Sequence, residues 1–285
     1  MRLDGRAFEA MRSVEFDLSY LPHAEGACLV KFGNTHVLCA ASVEDRVPPF
    51  LKGSRKGWVT AEYGMLPRST HTRSDREAAR GKQSGRTYEI QRLIGRSLRA
   101  VVNTDRLGER QIKIDCDVLR ADGGTRTAAI TGGYIALFQA CLWLLREKKI
   151  RQFPLTDQVA ALSCGLVSGK PLVDLNYGED SVADTDMNVV LAARRGFIEI
   201  QASAEGTPFR DRQFQSMLSM ATDALQKLLK MQKEVLMKVQ GAADAFQAMQ
   251  PPKTKPAAGG KPADKASEKS SGKPLGKPDG HKNES

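Results

Sequence analysis

Cysteine is scarce in this 285-residue chain, and its distribution excludes two classes of protein. Disulfide frameworks use closely spaced cysteine pairs, and structural zinc sites use CxxC spacings. The chain has no CxxC pair, and its five cysteines are widely spaced, mostly within apolar segments: Cys28, Cys39, Cys116, Cys141 and Cys164. The sequence therefore predicts buried, reduced thiols.

Uninterrupted apolar runs long enough to span a bilayer are also lacking. The longest candidate covers residues 128–145, and four small or polar residues interrupt it: Thr131, Gly132, Gly133 and Gln139. The first residues carry charges rather than a hydrophobic leader: Arg2, Asp4, Arg6 and Glu9. We expect a cytoplasmic protein without a membrane-spanning segment.

Signatures of covalent catalysis and of nucleotide hydrolysis are missing as well. No Ser/His/Asp or Cys/His arrangement is recognisable. Residues 81–87, Gly-Lys-Gln-Ser-Gly-Arg-Thr, superficially resemble a phosphate-binding loop, but no Gly-Lys-Ser/Thr follows a strand and opens a helix. A nucleotide-driven motor is disfavoured, while Arg86 remains a candidate anion ligand at a helix start.

Positive charge is abundant and concentrated. The chain carries a net charge of +10, and residues 52–99 hold 12 lysines and arginines against 4 acids. Arginine predominates there, and its planar guanidinium suits phosphate. Such a patch is expected of a protein that binds nucleic acid, whereas a solvated surface is the alternative.

The composition changes towards the C-terminus. Residues 251–285 contain six prolines and eight lysines, no aromatic residue and Leu275 as the single large aliphatic residue. Such a segment cannot bury enough apolar surface to fold. We therefore predict that residues 251–285 are disordered. The tail would attract RNA weakly or serve only solubility.

Hydrophobic periodicity predicts a body of mixed α and β structure. Two-residue alternation indicates strands at 13–18, 27–32, 35–42, 57–63, 112–118, 159–167, 172–175, 187–191 and 197–202. Helical spacing indicates helices at 86–102, 128–145 and 211–239. Strands followed by helices twice along the chain suggest two related halves.

The most informative segment runs from Gln111 to Ala128. An alternating strand ends near Gly123-Gly124, and an apolar helix pattern follows. This arrangement aims backbone N–H groups at one point, where Arg126 adds a guanidinium. We interpret Gly124, Thr125 and Arg126 as a candidate anion site; the alternative is an ordinary helix cap with Thr125 capping and Arg126 exposed.

An acid-rich segment lies between two predicted strands. Five acids fall within residues 174–186. They indicate a solvated loop or, alternatively, a Mg²⁺ site, because Mg²⁺ commonly pairs one or two carboxylates with substrate phosphates. One carboxyl group here could also protonate a departing ribose oxygen.

Residues 63–76 end in a polar stretch without apolar period. It carries Arg68, Arg73 and Arg76 around His71. A mobile basic loop suits an RNA backbone. His71 is interpreted as an RNA contact, a catalytic group or a residue without a role.

The motifs together resemble RNase PH over about residues 1–240. The resemblance implies a catalytic domain over residues 1–240 and leaves residues 241–285 as a Lys/Pro/Ala-rich disordered tail. The segments that carry the resemblance are Met1–Arg6, His23–Gly26, Gly57–Arg68, Gln91–Arg99, Asp115–Val118, Ala121–Thr127, Glu179–Ser181, Asp186–Val190 and Ala204–Phe209. Asn176 departs from the family, where aspartate is common.

The resemblance implies a phosphorolytic 3′→5′ exoribonuclease that trims tRNA precursors, releases nucleoside 5′-diphosphates and adds nucleotides in reverse. It implies phosphate bound by Arg86, Gly124, Thr125 and Arg126, and tRNA contacts from Arg68, Arg73 and Arg76. It also implies Mg²⁺ near Asp180 and Asp186, which are the expected catalytic carboxylates. The resemblance further implies the family's α+β fold, with left-handed βαβ units and mixed sheets packed with helices, and a homohexamer built from dimers.

Two alternatives stay open. The chain could be a non-catalytic RNA-binding subunit of an exosome-like ring, but such a subunit would be expected to lack some of the site residues, and this chain has them all. It could also be a general RNA-binding protein that uses its basic patch and tail.

Overall fold

The computed structural model describes Arg2 and residues 4–250, which form one compact unit. Five strands form the first sheet, in the order β1-β2-β3-β5-β4. Their bounds are β1 Val14–Asp17, β2 Gly26–Phe32, β3 Thr35–Glu44, β4 Trp58–Met65 and β5 Gln111–Arg120. Strands β2 and β3 pair antiparallel around a tight turn that contains Gly33, with φ +53°.

The second sheet has four antiparallel strands in the order β7-β6-β8-β9. They are β6 Val159–Val167, β7 Lys170–Val173, β8 Thr185–Ala192 and β9 Gly196–Ala204. Nearly every residue of β6 and β8 is buried, which shows that both faces of these strands are covered; β6 and the second half of β8 are accordingly mostly apolar.

Six α-helices complete the described part of the chain. They are α1 Gly85–Arg99, α2 Thr104–Leu107, α3 Thr125–Arg146, α4 Tyr177–Asp180, α5 Asp211–Leu236 and α6 Ala242–Ala248. Two 3₁₀ turns lie at Pro49–Leu51 and Glu77–Arg80. Helix α1 connects the parallel pair β4 and β5, which makes a βαβ unit. The mixture of helices and strands predicted from periodicity and the α+β class implied by the resemblance are both confirmed.

Helix α3 lies between the two sheets and contacts both of them. Its glycines allow close packing, because a Cβ on Gly132 would lie 2.6 Å from Val30 Cγ1. Helix α3 is long and apolar enough to cross a membrane, although no stretch of that kind was expected from the sequence. However, 78% of its most apolar 18-residue window is buried within this fold. It is the central core helix.

The cysteine prediction is confirmed, because all five thiols are free and buried. Burial raises the pKa of the Cys28, Cys141 and Cys164 thiols, which keeps them protonated.

The predicted boundary of the tail is wrong at its beginning. Helix α6 lies inside the segment 241–285, and its residues Ala242 and Ala245 are buried against the core. This short helix packs on the domain, but the low-complexity sequence that follows it obscured its pattern. The remainder of the predicted tail, residues 251–285, lies outside the described part of the chain.

Candidate active site

The turn before α3 has a shape that demands glycine. Gly123 has φ +76°, and a Cβ there would lie 2.4 Å from the Leu175 carbonyl oxygen. Gly124, with φ +66°, is the N-cap of α3, and no side chain caps that helix. The capping alternative for Thr125 is therefore wrong; its Oγ1 pairs with the Tyr63 hydroxyl at 2.8 Å. The first amides of α3 lack intrahelical acceptors and suit an anion.

A buried ion pair supports this turn from behind. Arg12 Nη2 lies 2.6 Å from Asp174 Oδ1, and both side chains are almost fully buried. The same guanidinium donates to the carbonyl oxygens of Asp122 and Gly123. Thr35 Oγ1 donates to the Gly123 carbonyl at 2.7 Å. The N-terminal segment therefore fixes the turn at residues 123–126, called the anion turn below, to the loop after β7.

One cavity of about 380 Å³ collects most of the predicted site residues. Its wall includes Arg86, Gly124, Thr125, Arg126, Asp180 and Asp186. They come from four separate places in the chain: the start of α1, the start of α3, helix α4 and strand β8. The convergence agrees with the expectation that they share one site.

Two guanidinium groups supply positive charge to the cavity. Arg126 Nη1 lies 3.2 Å from Glu89 Oε1 and 3.3 Å from Gln201 Oε1, and its side chain is mostly buried. Arg86, in the first turn of α1, makes no ion pair with any described residue. Both cations lower the pKa of Asp180, although less than burial raises it. The charges of Arg86 and Arg126 therefore act on Asp180 across the cavity.

The two carboxylates in the cavity fit a divalent cation. Burial raises the pKa of Asp180, and burial together with the charge of Asp180 raises that of Asp186. Among the described residues neither makes a salt bridge; Asp186 accepts only a 3.3 Å hydrogen bond from Asn188 Nδ2. Among the residues that the structure describes, no group of three or more Asp, Glu, His or Cys side chains is placed to hold a metal ion. Two neighbouring carboxylates beside a phosphate site are the ligand set that Mg²⁺ accepts.

Helix α4 is held in place by a second buried ion pair. Arg2 donates two hydrogen bonds to the Glu179 carboxylate, at 2.7 and 2.6 Å, and neither side chain is exposed to solvent. Asn176 caps the helix by accepting from the Glu179 amide at 2.9 Å. Asparagine caps a helix about as well as aspartate, so the departure at Asn176 keeps the local structure intact.

The three predicted RNA-contacting arginines lie outside the cavity. Arg68, Arg73 and Arg76 belong to the exposed segment after β4. Arg68 donates to the His71 carbonyl oxygen at 3.1 Å, and Arg73 pairs with Asp75 at 3.3 Å. This segment reaches the cavity through other residues, Thr70, His71 and Thr72.

Several residues at the site were missed by sequence reasoning. Tyr177 and Asn188 line the cavity, and Tyr63 holds Thr125. Ser163 lies next to Gly124, and its buried hydroxyl has no hydrogen-bond partner among the described residues. A polar residue in the apolar run of β6 was the only available signal for Ser163.

Comparison with known proteins agrees with this architecture. Residues 10–142 match the model of the 3′ exoribonuclease family, domain 1, and residues 157–224 match domain 2 of the same family. A protein named Ribonuclease PH from Rhodospirillum rubrum is 56% identical over 239 residues, which cover 83% of this chain and 98% of that protein.

Solved structures share the fold at low identity. The Archaeoglobus fulgidus exosome with RNA bound to the active site has a TM-score of 0.68 at 22% identity, covering 80% of this chain and 91% of that one. Rice (Oryza sativa) Rrp46 has a TM-score of 0.66 at 18% identity, covering 81% and 98%. These likenesses concern the fold alone.

The two-sheet fold and its anion turn define the class to which the chain is assigned: it belongs to the 3′ exoribonuclease family. Within that family its similarity is to Ribonuclease PH, which confirms the resemblance drawn from the sequence motifs.

Proposed function

We propose that this chain is a phosphorolytic 3′→5′ exoribonuclease that trims 3′-extended tRNA precursors and releases nucleoside 5′-diphosphates. The observation that carries the proposal is the shared cavity, in which an uncapped helix start and two arginines lie with two carboxylates. Family membership supports the same reaction. In the reverse direction, the enzyme adds nucleotides to RNA 3′ ends.

Inorganic phosphate is the attacking group in this proposal. Gly124, Thr125 and Arg126 hold it with the helix-start amides and a guanidinium, and Arg86 supplies a second guanidinium. Phosphate and the phosphodiester repel each other, so the site must neutralise charge and fix their positions. Positioning and electrostatics are the main resources of phosphoryl transfer, and no covalent nucleophile is required.

Asp180 and Asp186 would hold Mg²⁺, which neutralises charge on the phosphates when it is bound. Burial raises the pKa of each carboxyl, so a carboxyl of this pair that is not bound to the metal is suited to protonate the departing ribose oxygen.

The basic segment after β4 would contact the tRNA backbone through Arg68, Arg73 and Arg76. Its arginines are exposed, and the same segment reaches the cavity at His71. We further propose a homo-oligomeric ring, a hexamer of three dimers, located in the cytoplasm. This assembly is the one that the resemblance to RNase PH implies, and membership of the family supports it.

The direct test is incubation of the full chain with a 3′-extended tRNA and Mg²⁺, with and without phosphate. We expect nucleoside diphosphates that appear only when phosphate is present. Nucleoside monophosphates released without phosphate would refute phosphorolysis.

Replacing Arg126 by alanine separates the enzyme from an RNA-binding protein. The change removes a phosphate ligand, so the KM for phosphate should rise about 10- to 100-fold while the Kd for tRNA changes little. The comparison uses phosphate titration and filter binding. An equal loss of both would argue against Arg126 as the phosphate ligand.

A further inference from the structure

An aromatic ring stands at the wall of the cavity without a role in phosphate or metal binding. Tyr177 is 53% exposed, and its side chain lines the cavity. The described residues include few exposed aromatic side chains, and this is the one placed beside the site carboxylates. An exposed ring there leaves an apolar face available to a flat ligand.

The position of Tyr177 is fixed although its ring is exposed. It is the first residue of α4, and its amide donates to Asp122 Oδ1 at 3.1 Å. The helix is capped by Asn176 and anchored by the buried Glu179. The backbone beneath the ring is therefore rigid, so a ligand that stacks on it loses little freedom to protein motion.

The Tyr177 ring lies close to Asp180, one of the two carboxylates in the cavity. Tyr177 and Asp180 are three residues apart on the same helical turn, which places such side chains on one face with Cβ atoms about 5–6 Å apart. When a phosphate group of the RNA lies near Asp180, the base of the same nucleotide lies at about that distance from the phosphate. Among the groups of an RNA end, the base is the flat, apolar one.

A second ring comes from the basic segment. The His71 ring centroid lies 5.8 Å from that of Tyr177, at an interplanar angle of 54°. Both rings line the cavity. This tilted contact supports the tyrosine ring from one side and connects the basic segment with the reaction site.

We propose that Tyr177 is a stacking platform for the base of one of the two nucleotides joined by the bond that is cleaved, with His71 as its supporting ring. This inference rests on the proposed exoribonuclease function. Because every base has a π face, the platform accepts all four nucleotides and lets the enzyme trim ends of any sequence.

The test combines Tyr177 variants with RNA that lacks a base. Tyr177→Leu removes the ring and keeps apolar volume, whereas Tyr177→Phe keeps the ring. We expect kcat/KM for RNA to fall about 10- to 100-fold in the leucine variant and within about twofold in the phenylalanine variant, with an unchanged KM for phosphate. Tyr20→Leu, at a similarly exposed tyrosine away from the cavity, is the matched control.

Abasic RNA distinguishes stacking from general damage. An abasic site at the last or the penultimate nucleotide should slow the wild type by a similar factor and leave Tyr177→Leu unaffected at the same position. An abasic site several nucleotides upstream should slow wild type and variant equally. Additive losses at both terminal positions, or a leucine variant with normal kcat/KM, would overturn the platform. Absence of phosphorolysis in the wild type would instead refute the proposed function.

Discussion

At the scale of single residues, the anion turn depends on where glycine stands. The sequence marks Gly123-Gly124 as a break between strand and helix, which suffices to predict a turn. It does not show that Gly123 touches the backbone of Leu175, because that contact joins two distant segments. Close approach of backbones is a property of the folded chain, so the strict need for glycine at position 123 could not be predicted.

We expect Gly123→Ala to be far more destabilising than Gly81→Ala. Both glycines have similar positive φ, +76° and +71°, so both alanines bear the left-handed strain of about 1–2 kcal/mol. Only at Gly123 does the Cβ collide with backbone, which should raise the cost to about 3 kcal/mol or more. Urea denaturation compares the free energies of unfolding. Equal losses would contradict the packing described for this turn.

Asp186→Asn should abolish activity and stabilise the metal-free protein. A carboxyl whose pKa is higher in the folded than in the unfolded chain lowers stability once the pH exceeds both values. Asparagine removes that cost, so Tm at neutral pH should rise by roughly 2 °C in EDTA. Calorimetry at pH 7 and at pH 3 measures the difference in Tm between the variant and the wild type, and this difference should vanish at pH 3.

Activity should also depend on pH through these carboxyls. Metal binding requires the deprotonated forms, and the pKa values of Asp180 and Asp186 are raised. Phosphorolysis should therefore decline on acidification at a higher pH than exposed aspartates would give, and excess Mg²⁺ should shift the decline to lower pH. A decline insensitive to Mg²⁺ would argue against metal binding by this pair.

At the scale of elements, the acid-rich segment is a capped helical turn rather than a plain loop. Sequence reasoning placed acids there but did not predict α4, since a four-residue helix leaves no periodic signal. Its anchor is Arg2, which is 177 residues away along the chain from Glu179. A pairing over that separation leaves no mark in local pattern, although the Arg2 motif had appeared in the family resemblance.

Glu179→Gln should impair catalysis through the position of Asp180. Removing one charge of a buried pair leaves Arg2 uncompensated and costs about 3 kcal/mol. We expect kcat to fall about tenfold while the Kd for RNA stays unchanged, as measured by steady-state kinetics and filter binding. Glu15→Gln, which breaks an exposed pair with Lys31, is the control. A lower Tm with normal kcat would show that the pair has only a structural role.

At the scale of the whole molecule, periodicity predicted nearly all long elements, whereas the α+β class followed from the resemblance. Strands β2, β3, β5 and β6 alternate or run apolar as expected, and α1, α3 and α5 were located. The strand order and the burial of α3 between two sheets could not be predicted, because pairing depends on contacts between distant segments. The gathering of the site from four segments followed from resemblance rather than from pattern.

Removal of residues 251–285 should leave the reaction intact. The cavity and the buried ion pairs all lie before Pro251, so kcat should remain within about twofold. Loss of eight lysines should weaken RNA binding at low salt and reduce its salt dependence. Phosphorolysis by the shortened chain, assayed at two salt concentrations, measures both. Near-complete loss of RNA binding by the shortened chain would instead favour a general RNA-binding protein that depends on its tail.

The central claim is that the turn at Gly124, Thr125 and Arg126 presents phosphate as the attacking group. The most direct measurement supplies ³²P-labelled inorganic phosphate with unlabelled 3′-extended tRNA and identifies the labelled product by chromatography. We predict that the label enters the terminal phosphate of nucleoside 5′-diphosphates and that Arg126→Ala removes this incorporation. Shortening of the tRNA with the label left in free phosphate would contradict the account, because water would then be the attacking group.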